Sequence, residues 1–153
     1  MAKMIATAAW KRGRGTLGAL DPLLGTWTAT ADSPLGRVRC TRSFTRILGG
    51  RYVQLQAKWQ MAGGDYEELA VYGPGARGQL VFWSFTSDGK RSEGRQADVS
   101  DLHPQAVGFE AEMPAGKART AYWPDDAGCV CWVVEARTKK GWKRFTEHLY
   151  RRV

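Results

Sequence analysis

The strongest constraint on this chain is a period of two. In "RYVQLQAKWQM", Val53, Leu55, Ala57, Trp59 and Met61 fall on one face, and Tyr52, Gln54, Gln56, Lys58 and Gln60 on the other. Successive strand side chains point to opposite faces, so this is a long half-buried strand. "RVRCTRSFTRI" before it alternates as well, with Val38, Cys40, Arg42, Phe44 and Arg46 on one side. Leu48 to Gly50, "LGG", makes a tight hairpin turn between the two.

The same pattern continues to the C-terminus. "YEELAVYG", "QLVFWSFT", "RSEGRQADV", "AVGFEAEM", "ARTAYW", "CVCWVVEAR" and "WKRFTEHLYRRV" are each bounded by Gly, Pro, Asp or Lys-Gly turns. With a strand at Trp27 this gives about ten short-looped strands. Short loops favour an up-and-down meander, and closure of the meander removes its exposed edges. The expected fold is all-β: a closed or nearly closed antiparallel barrel of about ten strands, preceded by a short helical turn. That turn falls at Leu17 to Gly25, where Asp21 and Pro22 resemble a helix N-cap and first turn. A barrel of this size has an interior just wide enough for a small ligand.

The 153 residues make one domain. Residues 1–19, "MAKMIATAAWKRGRGTLGA", read as a basic, poorly ordered arm. The apolar part is very short, and the charge follows it instead of preceding it as in a secretory signal. Residues 20–153 read as the barrel. Three Cys without regular spacing do not form a disulfide framework, so a reducing, cytoplasmic setting is expected. No apolar run approaches the roughly 20 residues of a membrane span, and no membrane partner is expected. The net charge of +8 suits an anionic partner and also keeps the chain in solution.

Residue chemistry narrows the function. The chain has no P-loop, no Gly-x-Gly-x-x-Gly after a strand, no Gly-x-Ser-x-Gly elbow and no His-Glu-x-x-His. Catalysis is therefore not the expected role. Cys129 and Cys131 share a strand face with their side chains about 7 Å apart, unlike the converging sulfurs of a C-x-x-C zinc knuckle. Arg42 and Arg46 flank Phe44 at alternate positions. Outward they form a solvated stripe; inward they could bind the carboxylate of an acidic ligand. His148, on one face with Thr146 and Tyr150, is either a cavity imidazole or an ordinary strand histidine. His103, before Pro104, lies in a turn.

The opening "LLGTW", with an apolar turn before it and an antiparallel meander after it, resembles the calycin superfamily of lipocalins and fatty-acid-binding proteins. The fuller run resembles a bacterial family of uncharacterised calycin-like proteins. It comprises "CTRSFTRILGGRYVQLQ", "GDYEELAVYG" and "QLVFWSF" after that opening, and the resemblance spans about residues 20 to 152. It implies that Gly25 and Trp27 form the closed barrel base. A basic residue of the last strand, Arg151 or Arg152, would lie across the Trp, and Arg151 is taken as the first choice. The candidates for a cavity in such a barrel are Arg42, Phe44, Arg46, Trp83, Trp132 and His148, and face parity decides which of them point inward. More distantly, "EHLYRRV" is similar to the C-terminus of nitrobindin. That implies His148 as the axial ligand of ferric haem and a peroxynitrite-isomerase-like chemistry on reactive nitrogen species. The expected function is thus binding of an amphipathic, aromatic or acidic small molecule, with haem binding as the alternative. A basic barrel that binds nucleic acid is the third reading. No RNP-like aromatic motif accompanies it, so nucleic acid is not the expected partner. A homodimer is compatible with all three.

Overall fold

A computed structural model describes residues 10–33 and 36–153. A 3-10 helix, Thr16–Leu23, leads into ten strands. They are β1 Gly25–Ser33, β2 Gly36–Ile47, β3 Tyr52–Met61, β4 Gly64–Pro74, β5 Leu80–Thr86, β6 Arg91–Ala97, β7 Val107–Met113, β8 Gly116–Pro124, β9 Val130–Thr138 and β10 Gly141–Arg152. Each strand pairs antiparallel with the next, and β10 returns to β1 to close the barrel. The all-β meander barrel expected from the alternation is the observed fold.

The closure is uneven. β1 pairs with β2 from Gly25↔Phe44 to Ser33↔Gly36, whereas β1 and β10 pair only at Trp27↔Arg152 and Thr28↔Arg151. The seam is stitched at the base alone. There Arg152 lies 4.1 Å over the Trp27 ring and donates from Nη1 to the Leu24 carbonyl at 2.8 Å. Gly25, at φ 121°, makes room for it: a Cβ at this position would sit 2.6 Å from Arg152 Nη1. The basic residue across the Trp is therefore Arg152, and Arg151 is not. One residue along a strand reverses the face, so Arg151 points outward and is exposed.

The helix plugs this end. With three residues per turn, a 3-10 helix eclipses positions i and i+3. Leu17, Leu20 and Leu23 consequently form one stripe, and all three are buried in the core. Asp21 and Pro22 sit near the helix end, not at its start. Asp21 instead accepts from Arg46 Nη2 at 2.6 Å, Trp27 Nε1 donates to the Leu23 carbonyl at 2.8 Å, and Gly15 precedes the helix with no side-chain cap. The structured part thus begins before residue 20. Leu17 and Ala19 are core, and Trp10 packs against it and donates to the Gln105 carbonyl. The rest of the expected arm, residues 1–9, lies outside the described residues.

Between β6 and β7 the chain leaves the sheet as a strap across the outer wall. Val99 is buried against Ala121 and Val133, with Leu102, Ala106 and Trp123 around them. Beside it Arg119, 5% exposed, takes both oxygens of Asp101 and one of Glu135, whose other oxygen accepts from Arg144. Burial works against the Arg119 charge, and Asp101 and Glu135 outweigh it, so its pKa is raised.

Candidate ligand cup and its buried arginine

The end opposite the helix opens into a cup of about 290 Å³ inside the barrel. Alternation decides what lines it. On β2 the inward set is Val38, Cys40, Arg42 and Phe44, all buried. On β9 it is Val130, Trp132 and Val134, and on β4 Glu68, Ala70 and Tyr72. On β10 the register shifts between Arg144 and Thr146 at a bulge, which leaves Phe145 62% exposed. Beyond the bulge, Thr146, His148 and Tyr150 turn inward. The cup walls are largely aromatic: Trp59, Tyr66, Tyr72, Phe82, Phe109, Tyr122 and Trp132.

One cation is buried among these rings. Arg42 is 4% exposed; its Nη2 donates to Tyr122 Oη at 2.8 Å, and its guanidinium lies 4.3 Å over the Trp132 ring. Glu68 Oε1 is 3.7 Å from Nη2, and Glu68 Oε2 accepts from Ser84 at 2.5 Å. Burial opposes the Arg42 charge, but Tyr122, Tyr150 and Glu68 around it hold its pKa up. Arg42 Nε is buried without a hydrogen-bond partner. Leaving such a donor unsatisfied costs about 1–3 kcal/mol. The tyrosines share the environment: burial raises the phenols of Tyr72, Tyr122 and Tyr150, keeping them protonated donors. At the mouth, Lys90 and Arg91 add positive charge to the lining.

His148 stands behind Trp132. Its ring centroid is 5.2 Å from that of Trp132 and 5.4 Å from that of Trp59, and Nδ1 is 3.3 Å from Tyr150 Oη. Burial, and then Arg42, lower its pKa, so the imidazole is neutral at physiological pH. His148 does not line the cup itself.

Of the expected cavity residues, the structure brings Arg42, Phe44, Trp132 and His148 together inside the barrel. Phe44 packs below the cup, its ring 5.7 Å from that of Tyr122. Two others are elsewhere. Arg46 is on the inward face of β2, but at the closed end, where it ties Asp21 and the Gly50 carbonyl and so fastens the helix. Trp83 is on the outer wall, because Phe82 and Ser84 beside it take the inward positions of β5; its register partners are Val71 and Glu93. Glu68 joins the site as well: Ala70 and Tyr72, two and four residues on, share its face, and that alternation is its signal in the sequence. Ser84, Trp59 and Tyr122 carried the same alternation signal. Cys129 and Cys131 lie outward of buried Val130, and His103 stacks on Trp123 outside the barrel. Among the described residues no group of three His, Cys, Asp or Glu is placed to hold a metal ion, and no helix is long and apolar enough to cross a membrane.

These features define a closed ten-stranded antiparallel barrel with an aromatic cup at one end. No family model matches the chain, and no curated protein does. Among solved structures, the crystal structure of Rv2717c from M. tuberculosis is similar in fold. It has a TM-score of 0.58 at 14% identity over 92% of this chain and 98% of that one. A de novo designed fluorescence-activating beta barrel aligns at TM-score 0.42 and 22% identity, over 64% of this chain and 88% of that one.

Proposed function

We propose that this protein is a small-molecule-binding barrel of calycin type, whose ligand is an aromatic acid seated in the cup with its acidic group toward Arg42. The observation that carries the reading is the buried Arg42 Nε without an acceptor, in a cup otherwise walled by aromatic rings. Pockets of this kind are mostly apolar with a few convergent polar groups. Lys90 and Arg91 at the mouth favour approach of an anion. Gly25, Thr26 and Trp27 with Arg152 across the ring, and the "LGGR" hairpin, support the calycin assignment and the likeness to its uncharacterised bacterial members.

The test uses two matched probes. 8-Anilinonaphthalene-1-sulfonate carries an anion, and N-phenyl-1-naphthylamine is its uncharged counterpart. The sulfonate should bind saturably and more tightly. Arg42→Met should weaken it about 10- to 100-fold, as expected for loss of a charge-assisted hydrogen bond of about 1.5–3 kcal/mol. The uncharged probe should be little affected. Equal binding of both probes by the wild type, or no saturable binding, would overturn the reading.

His148 favours a second reading, ferric haem. In the tautomer whose Nδ1–H donates to Tyr150 Oη, Nε2 carries the lone pair for an axial bond, and Trp59 and Trp132 offer flat walls for a macrocycle. His148 supplies one imidazole donor, and Trp132, behind which it stands, would have to swing aside to bring that donor to the cup. Haem would supply iron chemistry toward reactive nitrogen species; the chain would supply the imidazole and its orientation. A saturable Soret band that is lost in His148→Ala would support this reading, and an unchanged spectrum in the variant would end it.

A further inference from the structure

The outer wall carries an apolar ladder that the cup does not use. On β4 and β5, Leu69 pairs with Phe85 and Val71 with Trp83. Leu69 is 40% and Phe85 51% exposed. Large aromatic and aliphatic groups contiguous on a surface mark an interaction site more often than scattered ones do. Beside this ridge runs a groove over β5, β6, β7 and β8, lined by Trp83, Phe85, Arg91, Glu93, Arg95 and Glu110, with Glu112 and Lys117 at its far side.

The charges of the groove decide the partner. The chain as a whole carries +8, and faces such as that of Arg37, Arg39 and Arg151 would repel a second copy. The groove holds three basic residues, Arg91, Arg95 and Lys117, and three acidic ones, Glu93, Glu110 and Glu112, so it is neutral. Along β6 the signs alternate: Arg91, Glu93, Arg95. Lys117 pairs with Glu110 and Glu112, while Arg91, Glu93 and Arg95 form no ion pair among the described residues. A ladder of alternating sign complements its own antiparallel copy when displaced by one step.

We infer that the outer wall of β4 to β7 is a self-docking face and that its partner is a second copy of this chain, related by a two-fold axis. Ridge and groove lie side by side on one face. A two-fold axis across the strands sets each β6 ladder antiparallel on its copy, Arg91 against Glu93, and lays the ridge of Leu69 and Phe85 against the same ridge, the isologous arrangement in which one patch contacts itself. Trp83 and Phe85 form the apolar centre, and Arg91, Glu93 and Arg95 form the charged rim, as in protein interfaces generally. The face lies on the barrel side and meets the mouth at Arg91, which also lines the cup.

Sedimentation velocity from the micromolar to the sub-millimolar range tests this. The wild type should pass from 17.0 kDa to twice that mass as concentration rises. Phe85→Glu should remain monomeric throughout, with unchanged circular dichroism. Leu69→Lys, at the opposite side of the ridge, should do the same and guards against a folding fault in the first variant. Phe145→Glu, an equally exposed phenylalanine at the mouth, should dimerise like the wild type. A wild type that stays monomeric at every concentration would overturn the inference. So would a dimer that survives both Phe85→Glu and Leu69→Lys.

Discussion

Replacing Arg42 with methionine separates the two things a buried arginine can do, hold a fold or hold a ligand. The variant loses the charge-assisted bond to Tyr122, about 1.5–3 kcal/mol, and the contact over Trp132, up to about 2 kcal/mol. It also sheds the unsatisfied Nε, about 1–3 kcal/mol, and the cost of keeping a guanidinium away from water, several kcal/mol. Glu68 keeps its Ser84 donor, and Met fills much of the same volume. The opposing contributions leave a net change within about 2 kcal/mol of zero, or less than about 8 °C in Tm for a domain of this size. Phe44→Ala is the internal standard. It empties a site that is 2% exposed and packed on Tyr72 and Tyr122, and should cost about 3–5 kcal/mol. Calorimetric melting of both variants beside the wild type gives the comparison. If Arg42→Met melts as early as Phe44→Ala, Arg42 is a structural keystone and the argument from its spare donor fails.

Further outcomes follow from other parts of the barrel. Glu135→Leu strips Arg119 and Arg144 of their shared partner and should cost about 3 kcal/mol, or roughly 6–12 °C in Tm by thermal circular dichroism; a loss below about 1 kcal/mol would mean that Asp101 alone suffices for Arg119. His148 has a pKa below its unfolded value, so the unfolded chain takes up the proton first and the wild type loses stability as pH falls below about 6.5. His148→Gln should lack that component, seen as a wild-type-minus-variant stability difference that falls with acid; a flat difference would count against the neutral imidazole. Gly25→Ala should displace Arg152 from the Trp27 ring and lower Tm, with a change in Trp27 emission to report the lost stacking.

Alternation made the strands, their order and most of the core legible in the sequence, because a buried barrel face repeats every second residue. The same rule places Glu68 inside once Tyr72 is known to be inside. The cases of Trp83 and Arg151 were harder. Both sit in strands where neighbouring positions are alike, Phe82 beside Trp83 and Arg152 beside Arg151, so side-chain type cannot fix which one faces in. Three-dimensional register does so, through the pairing of Trp27 with Arg152 and the ring contacts of Phe82 with Tyr72 and Phe109. The role of Arg46 depended on the helix, whose leucines repeat every three residues over only eight positions. That is too short a run to stand out from a turn.

The stitching of β1 to β10 at two residue pairs makes the barrel a hoop with a single clasp at one rim. Girth at the clasped rim is fixed by Arg152 on Trp27 and by Val153, whose N–H reaches the Thr26 carbonyl at 2.9 Å. At the other rim no register pair joins these two strands, so the ladder holds the closed base and leaves the open end to the remaining nine seams. Arg152 and Val153 are the buckle, and a tag fused after Val153 pulls on the fastening that sets the girth of the base.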